Sequence, residues 1–175
     1  DKYFKNTLWN INFTKEREPK KVQLIIDSLP KNVFIDERFY QLKNKYSEPK
    51  TWNNKSVVFY CGRAWEDWGP QSTLTGIGGS EEAVIYISKE FVKIGYEGVK
   101  YVPYYAFNPN DKFNVIIGWR QNCLKDINAK RRIVWLHDVP MNGMFNKDNC
   151  NDFDWLLVLS EFHKTLIPEC VDRSK

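Results

Sequence analysis

Residues 76–95 read GIGGSEEAVIYISKEFVKIG, and this stretch decides how the rest of the chain is read. Val84, Ile87, Phe91 and Ile94 step by three, four and three, which places them on one stripe of an α-helix. Ser80 is a good N-cap, Glu81 and Glu82 complement the positive end of the dipole, and Gly95 suits a left-handed stop. A helix is therefore predicted from Ser80 to about Ile94. Its entrance is rich in glycine, so the backbone of Gly76, Gly78 and Gly79 can approach a ligand closely. The first helical N–H groups lack intrahelical acceptors and, with the dipole, favour a phosphate or similar anion. The spacing is not G-x-G-x-x-G, so a dinucleotide fingerprint fits poorly, and a tight loop with no ligand is the equal alternative.

Upstream of this segment, Val57-Val58-Phe59-Tyr60 is a short apolar run rich in β-formers, as in a strand buried on both faces. Similar runs recur at Val115–Ile117, Ile133–Leu136 and Trp155–Leu159. Buried strands alternating with helix point to an α/β fold with a mainly parallel sheet, spanning residues 56–175. Residues 1–55 differ: they are rich in Lys, Asn and aromatics, and Pro19, Pro30 and Pro49 interrupt any long element. One helix is expected after Pro19, carrying Val22, Leu24, Ile25, Ile26 and Leu29, and a second over Asp36–Lys45 with Phe39, Tyr40 and Leu42 inward. This part reads as a mostly helical N-terminal extension.

At 175 residues the chain suits a single domain with a sizeable core. With 42% hydrophobic and 27% charged residues, a disordered tail, a coiled coil and a low-complexity linker are excluded. No run approaches the ~18 apolar residues of a membrane span, and no signal peptide is visible. A start at Asp1 rather than Met reads as a piece of a longer protein or a processed terminus. The net charge of +4 is spread along the chain, whereas a nucleic-acid-binding face would be more basic and more concentrated. Cys61, Cys123, Cys150 and Cys170 show no C-x-x-C spacing, which argues against zinc and for free thiols in the cytoplasm.

Two further spots carry candidate chemistry. His137 and Asp138 lie just past the carboxyl end of a predicted strand, the edge where open α/β sheets bind ligands. Arg120 ends another strand at the same edge and offers a fixed positive charge. His163 follows the last strand, so it either lines the same crevice or sits on a helix surface. Asp152-Phe153-Asp154 is a D-x-D triplet, but it precedes its strand and so belongs to the opposite edge, which disfavours a metal role. Glu82 and Glu90 form an E-x7-E that helical chance explains.

The strings GIGGSEEAVIYISKEFVKIGY, FNVIIGWR, RRIVWLHDVP and WLLVLSEFHKTLIP, in this order, resemble the N-terminal domain of retaining glycosyltransferases of the GT-B fold, the group related to glycosyltransferase family 4. The resemblance spans roughly residues 56–170. It implies a Rossmann-like domain that receives a hydroxyl acceptor, facing a C-terminal domain, beyond this chain, that holds a nucleotide-sugar donor. It implies that Gly78, Gly79 and Ser80 approach the donor diphosphate or sugar, that His137 contacts the transferred sugar, and, less firmly, roles for Asp138 and Arg120. It also implies no metal and no cofactor. The family carries a second strand just after the Gly-Tyr that closes the first helix, whereas here Gly95-Tyr96 passes straight into Glu97-Gly98-Val99-Lys100-Tyr101, as though a strand or some residues were missing. The Lys- and Asn-rich composition is reminiscent of a large DNA virus. A non-catalytic module holding a phosphate or a glycan is the alternative, because fold alone does not settle function.

Overall fold

A computed structural model describes residues 2–62, 68–103, 107–120, 124–140, 145–148, 150, 152–172 and 174. Five strands, β1 (Ser56–Gly62), β2 (Gly98–Pro103), β3 (Phe113–Trp119), β4 (Ala129–Trp135) and β5 (Trp155–Leu157), form one sheet in the order β2-β1-β3-β4-β5. Every pairing is parallel, with Val57 opposite Val115, Ile117 opposite Ile133 and Ile133 opposite Trp155. The chain is thus α/β with a Rossmann-like parallel sheet, as the alternation of apolar runs predicts.

Alternating side chains of the central strands feed two different cores. Val57, Phe59, Ile117, Trp119 and Ile133 point to one face, where helix α4 (Gly79–Lys93) supplies Val84 and, half-buried, Phe91. Val58, Ile116 and Val134 point to the other. That second face is covered by Phe107, Leu124, Ile127 and Phe153 from connecting segments and by Ile167 and Val171 beyond the last helix.

Helix α4 differs from the predicted helix in two details. Its N-cap is Gly78 rather than Ser80, and the N–H groups of Glu81 and Glu82 both donate to the Gly78 carbonyl at 3.0 Å. The stripe against the sheet is Val84, Ser88 and Phe91 with Ile85 beside it, while Ile87 and Ile94 are exposed at 41% and 72%. A stripe chosen by apolar residues passes over Ser88, which is small enough to let the helix settle on the sheet. Its hydroxyl is satisfied by donating to the Val84 carbonyl at 2.6 Å. Gly95 does end the helix in the left-handed region, at φ +95°, and Tyr96 N–H closes back on the Phe91 carbonyl.

The apparent gap after Gly95-Tyr96 is not a missing strand. Gly98–Pro103 is β2, paired with β1 from Ser56↔Gly98 to Gly62↔Pro103, with an irregularity near its end. An edge strand of six residues needs only one partner, so its signal in the sequence is short. The last strand is shorter than the predicted Trp155–Leu159. β5 lies at the other edge, and Trp155 and Leu157 are 49% and 44% exposed rather than buried on both faces.

Before the sheet come helices α1 (Lys2–Arg17), α2 (Val22–Ser28) and α3 (Glu37–Tyr46), joined by short 3₁₀ turns. Their buried residues Ile11, Val22, Ile26, Phe34, Phe39 and Leu42 make a third core of their own. Helix α1 is absent from the sequence reading. Phe4, Leu8 and Ile11 give it an inner stripe, but Tyr3, Trp9 and Phe13 project outward and blur the period. Phe39 and Leu42 of α3 are buried as expected, whereas Tyr40 is half-buried. Buried Asp111 clamps the segment that follows, accepting from Lys50 N–H at 2.8 Å and Trp52 Nε1–H at 3.0 Å. A short helix α5 (Glu161–Thr165) follows β5, capped by Ser160. Among the described residues no helix is long and apolar enough to cross a membrane.

Candidate functional site

The strand order sets the location. Chain direction across the sheet reverses between β1 and β3, because β2 lies on one side of β1 while β3, β4 and β5 continue on the other. Helices or loops from such neighbouring strands leave a crevice beyond their carboxyl ends, where open α/β sheets bind ligands. The glycine loop and α4 follow β1, Arg120 follows β3, and His137 and Asp138 follow β4.

Arg120 draws these three places together. Its Nη2 donates to Ser80 Oγ at 3.2 Å and to Glu81 Oε1 at 2.9 Å, and its Nε lies 3.9 Å from Asp138 Oδ2. The guanidinium carbon sits 4.2 Å from the centroid of the Trp119 ring. The Arg120 backbone is in the left-handed region at φ +61°, a conformation that costs a residue with a Cβ about 1–2 kcal/mol. Offsetting it, Arg120 N–H donates to the Trp135 carbonyl at 2.8 Å, so the strained turn continues the β3–β4 ladder by one rung. Strain held in place by surrounding contacts is a recurring property of functional turns.

His137 lies over the aromatic end of the sheet, with ring centroids 4.3 Å from Trp135 and 5.9 Å from Trp119. Burial, helped by the nearby Arg120 charge, lowers its pKa to about 4, so at neutral pH it is an uncharged imidazole. Its buried Nε2 finds no hydrogen-bond partner among the described residues, and neither does Arg120 Nε. Asp138, by contrast, is 63% exposed on its side chain. His163 takes neither of its two expected places. It is buried, accepts Leu159 N–H on Nδ1 at 3.4 Å, and places Nε2 2.9 Å from the Asp138 carbonyl oxygen. With Nδ1 accepting, Nε2 carries the proton and donates to that carbonyl, so His163 positions the loop that bears Asp138.

The glycine loop contributes backbone. Gly76 needs its freedom, at φ +87°. The N–H groups of Gly79 and Ser80 have no acceptor among the described residues, and open space surrounds the position a Cβ would take on Gly79. Glu81 tempers this electropositive end. Its side chain is only 15% exposed, it folds back beside Gly78, and it pairs with Arg120. With Asp138 also near, two carboxylates face one guanidinium, and a ligand phosphate would compete with Glu81 for Arg120. The sequence reading noted Glu81 only for the helix dipole. Its pairing spans 39 positions and has no local signature.

Two other spots lie away from this crevice. Asp154 Oδ2 accepts Arg132 N–H at 2.7 Å at the amino end of the sheet, which accounts for half of the D-x-D triplet. No group of three or more His, Cys, Asp or Glu side chains able to hold a metal ion occurs among the described residues. A hollow of about 230 Å³ is lined by Leu156, Val158, Glu161, Lys164, Ile167 and Val171, none of them among the residues of the crevice described above. Comparison with protein-family models, curated proteins and solved structures gives no match in any of the three.

Two consequences can be measured. Arg120→Gly and Arg120→Ala both lose the ion pair, but only glycine relieves the left-handed backbone, so the glycine variant should be the more stable by about 1 kcal/mol in urea unfolding. Equal stability would contradict the strain. Because His137 refuses a proton that the unfolded chain accepts below its ordinary pKa of 6.5, its contribution is complete above pH 6.5 and is lost as pH falls towards 4. That loss should amount to roughly 2–3 kcal/mol. His137→Gln should flatten this part of the pH dependence; an unchanged slope would show that other groups cause it.

Proposed function

We propose that the chain is the acceptor-side domain of a retaining glycosyltransferase that moves a sugar from a nucleotide-sugar to a hydroxyl acceptor in the cytoplasm. The observation that supports this most is the gathering of the glycine loop, Arg120 and His137 at the switch point between β1 and β3. In this reading Gly78, Gly79 and Ser80 present backbone N–H groups to the donor's leaving diphosphate, and Arg120 joins them once Glu81 yields. Electrostatic stabilisation of that developing charge is the largest usual contribution to such chemistry. A second, nucleotide-holding domain supplies the rest. Neutral His137 orients the transferred sugar through its unpartnered Nε2, while the acceptor hydroxyl attacks from the same face. Asp138, held by its own carbonyl through His163, stands at the mouth of the crevice.

One observation favours the second reading, a non-catalytic module that binds a glycan. The Glu81–Arg120 pair leaves the crevice without surplus positive charge, and Trp135 and His137 offer ring surface to a neutral sugar.

The readings separate in the full-length protein. With a panel of nucleotide-sugars, His137→Ala should cut sugar transfer by roughly 10²-fold, the scale of a lost transition-state hydrogen bond. Undiminished transfer would refute the role of His137. Glu81→Gln should tighten binding of inorganic pyrophosphate by about fivefold, since it frees Arg120 from a carboxylate worth about 1 kcal/mol. Unaltered pyrophosphate binding, with no transfer from any donor, would leave the glycan-binding module standing.

A further inference from the structure

Helix α1 carries a second apolar stripe on the side turned away from the core it helps to build. Phe4, Leu8 and Ile11 face inward, whereas Trp9 and Phe13, one turn apart, are 62% and 43% exposed. At about 100° per residue, Lys2 shares the line of Trp9 and Phe13, opposite Ile11, and Arg17 continues it. The two rings stack with centroids 5.1 Å apart, and the Arg17 guanidinium carbon lies 3.7 Å from the Phe13 centroid. Basic residues recur along the whole chain, but their surplus is concentrated here. Residues 2–21 hold six Lys or Arg, all exposed, against two Glu, a net charge of +4 that equals that of the entire chain.

We propose that α1 is a docking ridge for an anionic membrane surface, on which it lies without spanning. A helix with aromatic side chains along one line and Lys or Arg beside them rests at the boundary of headgroups and acyl chains. Trp9 and Phe13 enter that layer, while Lys2 and Arg17 keep their charged ends at the lipid phosphates. Two observations favour lipid over other occupants. A second copy of the chain would bring two surfaces of the same positive charge together, whereas an anionic bilayer complements it. The bases of a single-stranded nucleic acid need open ring faces to stack on, and those of Phe13 are taken by Trp9 one turn before and Arg17 one turn after. This inference is independent of any sugar chemistry.

Vesicle sedimentation with the full-length protein supplies the test. Vesicles of about three parts phosphatidylcholine to one part phosphatidylserine should carry the protein down, and pure phosphatidylcholine vesicles should not. Salt at about 1 M should release most of it, because charges are then screened within about 3 Å. Lys2→Gln and Arg17→Gln should each weaken binding about fivefold, and Trp9→Ala with Phe13→Ala at least about tenfold. All four side chains are exposed, so the variants should keep the melting curve of the unaltered protein. Lipid chains carrying bromine should quench tryptophan emission, and Trp9→Phe should abolish that quenching while the protein still sediments. No sedimentation, equal sedimentation with both vesicles, undiminished binding of the Trp9→Ala/Phe13→Ala variant, or quenching that survives Trp9→Phe would overturn the proposal. So would self-association, or retention of a single-stranded oligonucleotide, that the same double variant abolishes, since the ridge would then serve another occupant.

Discussion

Everything at the crevice follows from the parallel pairing of β1 with β3, the central strand of the sheet. Parallel neighbours cannot be joined by a hairpin, so each strand must discharge its chain at the same edge and return over a face. Three loops far apart in sequence, after Gly62, Trp119 and Trp135, therefore leave side by side. The pairing is secure because Val57, Val58, Phe59, Ile116 and Ile117 are all within 2% of full burial, so both faces of the pair must be covered. Were the pairing to slip by one residue, the side chains bound for α4 would exchange with those facing Phe107 and Leu124.

On that scaffold the crevice is arranged around one cation. Arg120 is 30% exposed on its side chain and reaches the start of α4 and the loop after β4 at once. Its two carboxylate neighbours leave the site no surplus positive charge, and the neighbouring imidazole is uncharged because it is buried beside the same cation. A neutral, partly desolvated imidazole and a paired guanidinium suit hydrogen bonding to a polar ligand. Strong attraction of a polyanion would require the pair to open.

Among the described residues, polar contacts of defined geometry join the three-helix unit to the sheet. Asp111 holds the Lys50–Trp52 segment, and backbone bonds between Trp52 and Lys112 and between Lys112 and Lys50 run beside it. Asn110 adds a bond to the Asn44 carbonyl at the end of α3. The cores themselves stay separate, as the buried residues of the helices and those of the sheet form distinct clusters.

Local signals carried the class of fold. The runs at Val57–Tyr60 and Val115–Ile117 lie within strands, and that at Ile133–Leu136 overruns β4 by one residue, because β-branched and aromatic residues in a short unbroken stretch suit burial on both faces. The stop at Gly95 was equally legible, since only glycine reaches that backbone region without cost. Contacts made across the chain were not legible: Ser88 as the seat of α4, helix α1 behind its outward aromatics, β2 as a strand with one partner, and His163 tied to Asp138. Nor could local pattern reveal that Glu81 would claim Arg120. Periodicity reports which way a residue faces along its own element, whereas partnership depends on which elements the sheet order brings together.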